Sequence, residues 1–173
     1  MNRITKFLAW LCIITCCLSC VGCEKKAEAQ PILKVITSSQ IGVTIFSYKR
    51  YYDIYDNGKK KKIPEFSPTE VERYAFQTST EESVPYLYHI DLNSVTGIEI
   101  NNIAKSIVSL TDENEKITSQ GKLFLIDGRY YFTASVDKGK GFKVTLLEYL
   151  IQDNSIEEIA TFKGDITHVE AYQ

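Results

Sequence analysis

Two apolar segments separated by the dipeptide Asp127-Gly128 constrain the fold of this chain more than any other feature. Asp-Gly favours the positive φ angles of a type I′ turn, and a two-residue turn pairs Ile126 with Arg129. Residues 121–136 are therefore predicted to form a β-hairpin. Because side chains alternate along a strand, one face collects six residues that we predict to be the core face. These are Leu123, Leu125, Tyr130, Phe132, Ala134 and Val136.

Turn residues divide the rest of the chain in the same way. Asp56-Asn57-Gly58 and Asp153-Asn154-Ser155 are strong turn signals between extended apolar segments. The predicted strands are residues 32–37, 41–46, 48–55, 85–92, 95–100, 103–110, 142–151, 156–162 and 166–172. This pattern predicts an all-β or mainly β fold of antiparallel hairpins. The sheets would form a sandwich or propeller-like blades, since the hairpins at 52–63, 87–100 and 147–159 each have the outline of an outer blade hairpin.

One segment has two competing interpretations. Ser67-Pro68-Thr69-Glu70 has the spacing of a helix start, with a serine cap, a proline at the first helical position and a glutamate at the third. A strand over residues 71–78 fits the same region. The sequence therefore predicts at most one short helix, near residues 68–75, and leaves the strand as its alternative.

All five cysteines lie in the first 23 residues. Residues 1–6 contain two basic residues, Arg3 and Lys6, and a short apolar run follows them. This layout is typical of a secretory signal and is too short for a bilayer span, which needs ~20 apolar residues. The end of the run resembles the lipobox of bacterial lipoproteins. The resemblance implies that Cys23, or alternatively Cys20, is acylated, for example with palmitate, and becomes the first residue of the mature protein.

These observations divide the chain into a signal peptide (1–22), a short polar tether (23–30) and a single β domain (31–173). Removing residues 1–22 leaves 18 basic and 22 acidic residues, a net charge of −4. Nucleic-acid binding is not expected, because it requires a strongly basic surface. Without cysteines beyond residue 23, the domain has no intrachain disulfide and cannot bind zinc through thiolates.

The strongest candidates for a binding surface lie around the Asp56-Asn57-Gly58 turn. Tyr51 and Tyr55 share one strand face and offer rigid contact area with a polar tip. They precede the basic run Lys59, Lys60, Lys61 and Lys62. This run would attract anionic lipid at about 1 kcal/mol per lysine. Alternatively, it would keep the hairpin soluble and protect a sheet edge.

Few residues suggest catalysis or metal binding. His89 and Asp91 share a strand face, which could orient an imidazole, and His168 is the other histidine. Two acidic stretches lack the ligand spacing of a calcium loop. One is Asp112–Glu115, and the other consists of Asp53, Asp56 and Asn57. No catalytic residue, metal or cofactor is therefore predicted.

These features predict a lipid-anchored protein on the extracytoplasmic face of a bacterial cell membrane. Its main role would be non-enzymatic binding of an envelope protein, a glycan or a small ligand. One alternative is a hydrolase-like enzyme with a site assembled around His89 and Asp91. A second is an immunity or structural lipoprotein that blocks a partner protein.

Overall fold

Antiparallel strands make up most of what the computed structural model describes, which is residues 29–40, 47–79 and 82–173. This part of the chain contains eleven strands and one helix. In chain order they are β1 (Pro31–Gln40), β2 (Ser47–Tyr55), β3 (Lys60–Ile63), β4 (Glu72–Thr78), β5 (Pro85–His89), β6 (Ser94–Val95), α1 (Ile98–Asp112), β7 (Ile117–Ile126), β8 (Arg129–Asp137), β9 (Phe142–Leu150), β10 (Ser155–Phe162) and β11 (Asp165–Ala171). The predicted mainly β fold is confirmed.

The strands form two sheets that pack face to face. The four-stranded sheet has the order β11-β1-β2-β3, and the seven-stranded sheet has the order β10-β9-β8-β7-β4-β5-β6. Val35, Ile54 and Val169 of the first sheet share an apolar cluster with Phe124 and Leu146 of the second. The arrangement is thus the predicted sandwich, and not the blade-like alternative.

The outer face of the seven-stranded sheet is covered by α1, so the molecule has three layers. Ala104 and Ile107 of the helix are fully buried against Leu87, Leu123 and Phe132 of the sheet. The central strands therefore bury side chains on both faces. This is why the consecutive residues Leu123 and Phe124 of β7, and Tyr131 and Phe132 of β8, are all buried although neighbouring side chains point to opposite faces.

The Asp127-Gly128 hairpin forms as predicted. Asp127 and Gly128 have φ angles of 50° and 75°, and Ile126 pairs with Arg129. The prediction of a single core face was incomplete, however. The predicted face packs under α1, whereas Phe124 and Tyr131 from the opposite face are buried against the other sheet.

The helix lies at residues 98–112, where the sequence analysis predicted strands at 95–100 and 103–110. Its β-branched residues favoured the strand interpretation. Ile100, Ile103, Ala104 and Ile107 have helical spacing and face the sheet. Of the strand predicted at 95–100, only Val95 is in a strand, as the second residue of β6.

No helix forms at residues 68–75, and the alternative strand is correct, since β4 spans Glu72–Thr78. Two tertiary interactions oppose the local helix signal. The Thr69 amide donates to the Glu170 carboxylate, and Tyr74 is paired with strands on both sides, opposite His89 in β5 and Leu123 in β7. Pairing with two strands outweighs the modest gain from a capping motif.

Residues 64–71 have no regular structure and cross the outer face of the four-stranded sheet; we call them the strap. Glu65 accepts a hydrogen bond from the Tyr51 hydroxyl at 2.9 Å, and the Phe66 ring contacts the Tyr51 ring edge-on. Lys34 places its ammonium 5.2 Å from the Phe66 ring centroid. The strap thereby covers side chains that would otherwise face solvent.

A tight turn at Lys163 and Gly164 carries the chain from one sheet to the other. Gly164 has a φ angle of 95°, and a Cβ atom there would lie 2.5 Å from the Ser38 carbonyl oxygen. The close approach of the two backbones therefore requires glycine at this position.

Several expectations concern residues outside the described ranges. These are the lipobox with Cys20 and Cys23, most of the tether, and the strand predicted at 41–46. Among the residues that the structure does describe, no helix is long and apolar enough to cross a membrane.

Candidate functional site

A cleft of about 520 Å³ opens where the end of the strap meets β4, β5 and β11. It brings together both histidines of the chain, which are 79 positions apart in the sequence. Its lining residues are Pro68, Thr69, Glu70, Val71, Glu72, Arg73, His89, Asp91 and His168. The cleft therefore brings together His89, Asp91 and His168, the titratable residues that were considered separately in the sequence.

His89, the last residue of β5, has a fixed ring. The ring packs edge-on against Tyr74, with centroids 4.9 Å apart. Its Nδ1 atom accepts a hydrogen bond from the Leu92 amide at 3.0 Å. When neutral, the ring must then carry its proton on Nε2, so His89 presents a hydrogen-bond donor.

Asp91 is held by Arg73 and not by the histidine beside it. The Arg73 Nε atom lies 3.3 Å from one carboxylate oxygen, and a second guanidinium nitrogen bonds the other. This bidentate contact holds the pKa of Asp91 below its ordinary value. His89 and Asp91 thus line one cleft, but the predicted shared strand face is wrong, because β5 ends at His89 and Asp91 lies in the turn that follows.

Glu170 lies behind the cleft and is only 3% exposed. Its Oε2 atom accepts hydrogen bonds from the Thr69 amide at 2.6 Å and the Thr69 hydroxyl at 2.8 Å, and lies 3.0 Å from His168 Nε2. Burial raises the pKa of Glu170, but these hydrogen bonds outweigh burial, and the net pKa is lowered.

Because the ionised Glu170 carboxylate can only accept a hydrogen bond, the His168 Nε2 atom carries the proton in this contact. The basic nitrogen of a neutral His168 ring is then Nδ1. The cleft therefore combines a ring that donates, His89, with a ring whose remaining nitrogen accepts. Such a fixed pair can orient a polar ligand, and it can also take up a proton from water or from a ligand hydroxyl.

The rim of the cleft is acidic. Glu70, Glu72 and Asp91 contribute three carboxylates against the single guanidinium of Arg73. The Tyr74 hydroxyl donates to Glu72 at 2.6 Å, and burial together with this carboxylate raises the pKa of Tyr74. The resulting potential favours a ligand that carries positive charge or several hydrogen-bond donors.

The predicted tyrosine and lysine surface lies elsewhere, at the β3 edge of the four-stranded sheet, whereas His168 lies on the β11 edge. Tyr51 is buried beneath the strap and Tyr55 is half-buried. Lys59, Lys60, Lys61 and Lys62 are all exposed. The four lysines are thus grouped at the surface, whereas Tyr51 is not accessible there.

No group of three or more histidine, cysteine or acidic side chains could hold a metal ion in the described part of the chain. Asp53, one of the considered calcium ligands, is buried with its Oδ1 atom unpartnered there. Burial raises the pKa of Asp53, and the charges of Lys34 and Lys61 oppose this effect. The Asn57 side-chain oxygen instead accepts a hydrogen bond from the Lys59 amide within its turn.

Thr69, Arg73 and Glu170 are the site residues that the sequence analysis missed. Thr69 and Glu170 are 101 positions apart, so their contact leaves no local motif. One signal was present: the final strand places a histidine and a glutamate two residues apart, at His168 and Glu170, so the two share one strand face. Inward-facing charges in a strand indicate a buried polar network.

No protein-family model matches this chain, and neither a curated protein nor a solved structure shows significant similarity to it.

Proposed function

We propose that the chain is a lipid-anchored bacterial envelope protein that uses the His89–His168 cleft to bind a cationic ligand on an envelope protein or glycan. The single observation that supports binding in this cleft is its preset polar lining. Arg73 fixes Asp91, Glu170 fixes His168, and the Leu92 amide fixes His89. Groups held in this way need little reorganisation when a ligand arrives.

The lipid anchor is the part of the proposal that rests on residues 1–26. Intact mass measurement of the protein extracted from membranes should show a chain beginning at Cys23 and carrying acyl groups. Cys23→Ser should abolish acylation and leave an unprocessed precursor, because serine offers no sulfur to modify. Normal processing of this variant would move the anchor to Cys20, and a non-acylated chain with its initiator methionine would refute anchoring.

The cleft can be tested with a charge reversal on its rim. Glu70→Lys should reduce the amount of ligand-bearing partner recovered with the full chain from detergent extracts, because it places a cation where a cation is expected to bind. Glu70 is exposed, so the free energy of unfolding should change by less than about 0.5 kcal/mol.

The matched control is Glu113→Lys, which makes the same charge change at an exposed residue after α1. Its recovery of partner should equal that of the unmodified protein. Equal recovery with Glu70→Lys and Glu113→Lys would exclude the acidic rim as the binding surface. If the recovered partner is an active protein and its activity is suppressed in the complex, the chain acts as an immunity-type protein that blocks its partner.

Hydrolysis is a second candidate function, favoured by the presence of both histidines and Asp91 in one cleft. Within the described part of the chain, the one hydroxyl among the lining residues belongs to Thr69, and it donates to Glu170. Water activated at His168 Nδ1 would therefore be the nucleophile. Chromogenic esters and phosphoesters should be turned over by the protein and not by His168→Gln, and no turnover above the buffer rate would exclude this function.

A further inference from the structure

The four consecutive lysines lie beside the point where the described chain meets the tether. Pro31, the first residue of β1, is paired with Tyr55, the last residue of β2. The turn that follows Tyr55 leads directly into Lys59 and Lys60. Neighbouring strands are about 4.8 Å apart, so Lys60, which pairs with Ile54 opposite Leu33, lies about 10 Å from β1.

The length of the chain before Pro31 limits how far this end of the domain can be from the anchor. Seven residues lie between Cys23 and Pro31, so eight Cα–Cα steps join the two, and a fully extended chain spans at most about 3.6 Å per step. The Pro31 end of β1 must therefore lie within about 29 Å of the acylated residue. The lysines belong to the same end of the sheet and are subject to the same limit.

The four lysines are not equivalent. Lys60 donates to the Thr161 carbonyl oxygen, and its ammonium lies 4.9 Å from the Phe162 ring centroid. It thereby covers the outer edge of β10. Lys61 pairs in register with Asp53, and its positive charge acts to lower the pKa of the Asp53 carboxyl.

The side chains of Lys59 and Lys62 are exposed and make no ion pair within the described ranges. Lys60 is therefore explained by its contact with the edge of β10, and Lys61 by its proximity to the buried Asp53. Within the described ranges, the charges of Lys59 and Lys62 have no ion-pair partner.

We propose that Lys59 and Lys62 face the membrane and bind the anionic headgroups of its outer surface. This proposal rests on the lipid anchor proposed above. A cation near an anionic surface gains about 1 kcal/mol, and two or three such contacts fix an orientation although the acyl chains already fix the distance. Lys163 is exposed and lies close enough to Lys60 for its charge to lower the pKa of Lys60. It therefore extends the basic surface.

The orientation has a consequence for the cleft. The lysines are on the β3 edge of the four-stranded sheet and His168 is on the β11 edge, at the other side of the same sheet. With β3 towards the lipid, the cleft faces away from the lysine contact. A partner can then reach the cleft while the protein stays on the membrane.

The test is amine footprinting of the full chain reconstituted into vesicles. Phosphatidylcholine vesicles with and without phosphatidylglycerol are treated with a neutral acetylating reagent, and the modified peptides are quantified by mass spectrometry. Lys59 and Lys62 should react about fivefold more slowly in the anionic vesicles, the factor that corresponds to about 1 kcal/mol. High salt should restore their reactivity, because the headgroup attraction is screened.

Lys105 and Lys140 are the matched controls. Both are exposed, one on α1 and one in the β8–β9 turn, and their reactivity should be the same in both kinds of vesicle. Equal reactivity of Lys59 and Lys62 with and without phosphatidylglycerol would overturn the proposal. Protection that persists at high salt would also overturn it, because it would show that the lysines are covered by something other than headgroup charge.

The intact mass of the same sample separates the two proposals. An acylated chain without lysine protection would leave the anchor standing and remove the orientation. Lysine protection in a chain without acyl groups would remove the anchor and support the basic contact alone.

Discussion

Glu170→Gln should lower the free energy of unfolding by about 3 kcal/mol, the range found when one partner of a buried ionic contact is removed. The carboxylate is 3% exposed and receives two hydrogen bonds from Thr69 and one from His168, while the Lys34 ammonium lies 4.0 Å away. A neutral amide cannot satisfy all of these donors. Urea unfolding of the purified protein measures the change.

The loss should depend on pH. The folded pKa of Glu170 is lowered from its ordinary value of 4.5, so its stabilising contribution is complete above pH 4.5 and is lost as the pH falls through the folded value. The difference between Glu170→Gln and the unmodified protein should therefore shrink in acid. Glu115→Gln, an exposed control, should stay within about 0.5 kcal/mol at every pH. A deficit at Glu170 that is constant in acid would contradict the assigned network.

Phe124→Ala should destabilise the protein by about 3–5 kcal/mol, the usual cost of removing a fully buried phenylalanine. Phe124 is 0% exposed and lies between the two sheets, although it is on the hairpin face that the sequence analysis predicted to be outside the core. The substitution leaves a cavity whose walls belong to both sheets, so neither sheet can close it alone. The shift of the urea midpoint measures the cost.

Phe132→Ala and Phe142→Ala are the matched comparisons. Phe132 is fully buried on the opposite face, under α1, and its loss should cost as much as that of Phe124. Phe142 is 61% exposed, and its loss should cost less than about 0.5 kcal/mol. A Phe124→Ala variant as stable as Phe142→Ala would mean that the four-stranded sheet does not pack on the hairpin.

The hairpins could be predicted because their turns are encoded locally. Asp127 and Gly128 adopt positive φ angles, as does Gly58 in the turn before the lysines. These preferences act over two or three residues and do not depend on the rest of the fold. The two-residue length of the turn then gave the pairing of Ile126 with Arg129 correctly.

The helix and the second core could not be read in the same way. Ile103, Ile107 and Val108 favour strands by intrinsic preference, and helical spacing in a short β-branched segment is a weak signal. The burial of Phe124 depends on a sheet whose strands come from both ends of the described chain, β1 to β3 and β11. Packing between such distant segments leaves no pattern in the local sequence.

The candidate site was predicted in part. His89, Asp91 and His168 were recognised as the titratable residues of interest, and they line one cleft. Their actual partners, Arg73 and Glu170, were not recognised. Arg73 reaches Asp91 from β4, 18 positions earlier in the sequence, whereas Glu170 lies on the same strand as His168 but is held by Thr69 of the distant strap. Without these partners, neither the tautomer of each imidazole nor the acidity of the rim could be derived.

The strap gives the cleft a mechanical connection to the rest of the fold. Thr69 belongs both to the cleft lining and to the bonds that fasten residues 64–71 onto Glu170. Anything that settles between His89 and His168 would also brace this crossing segment, so occupancy should raise the melting temperature. Thermal-shift screening of amines, basic peptides and amino sugars would then find the ligand without an activity assay.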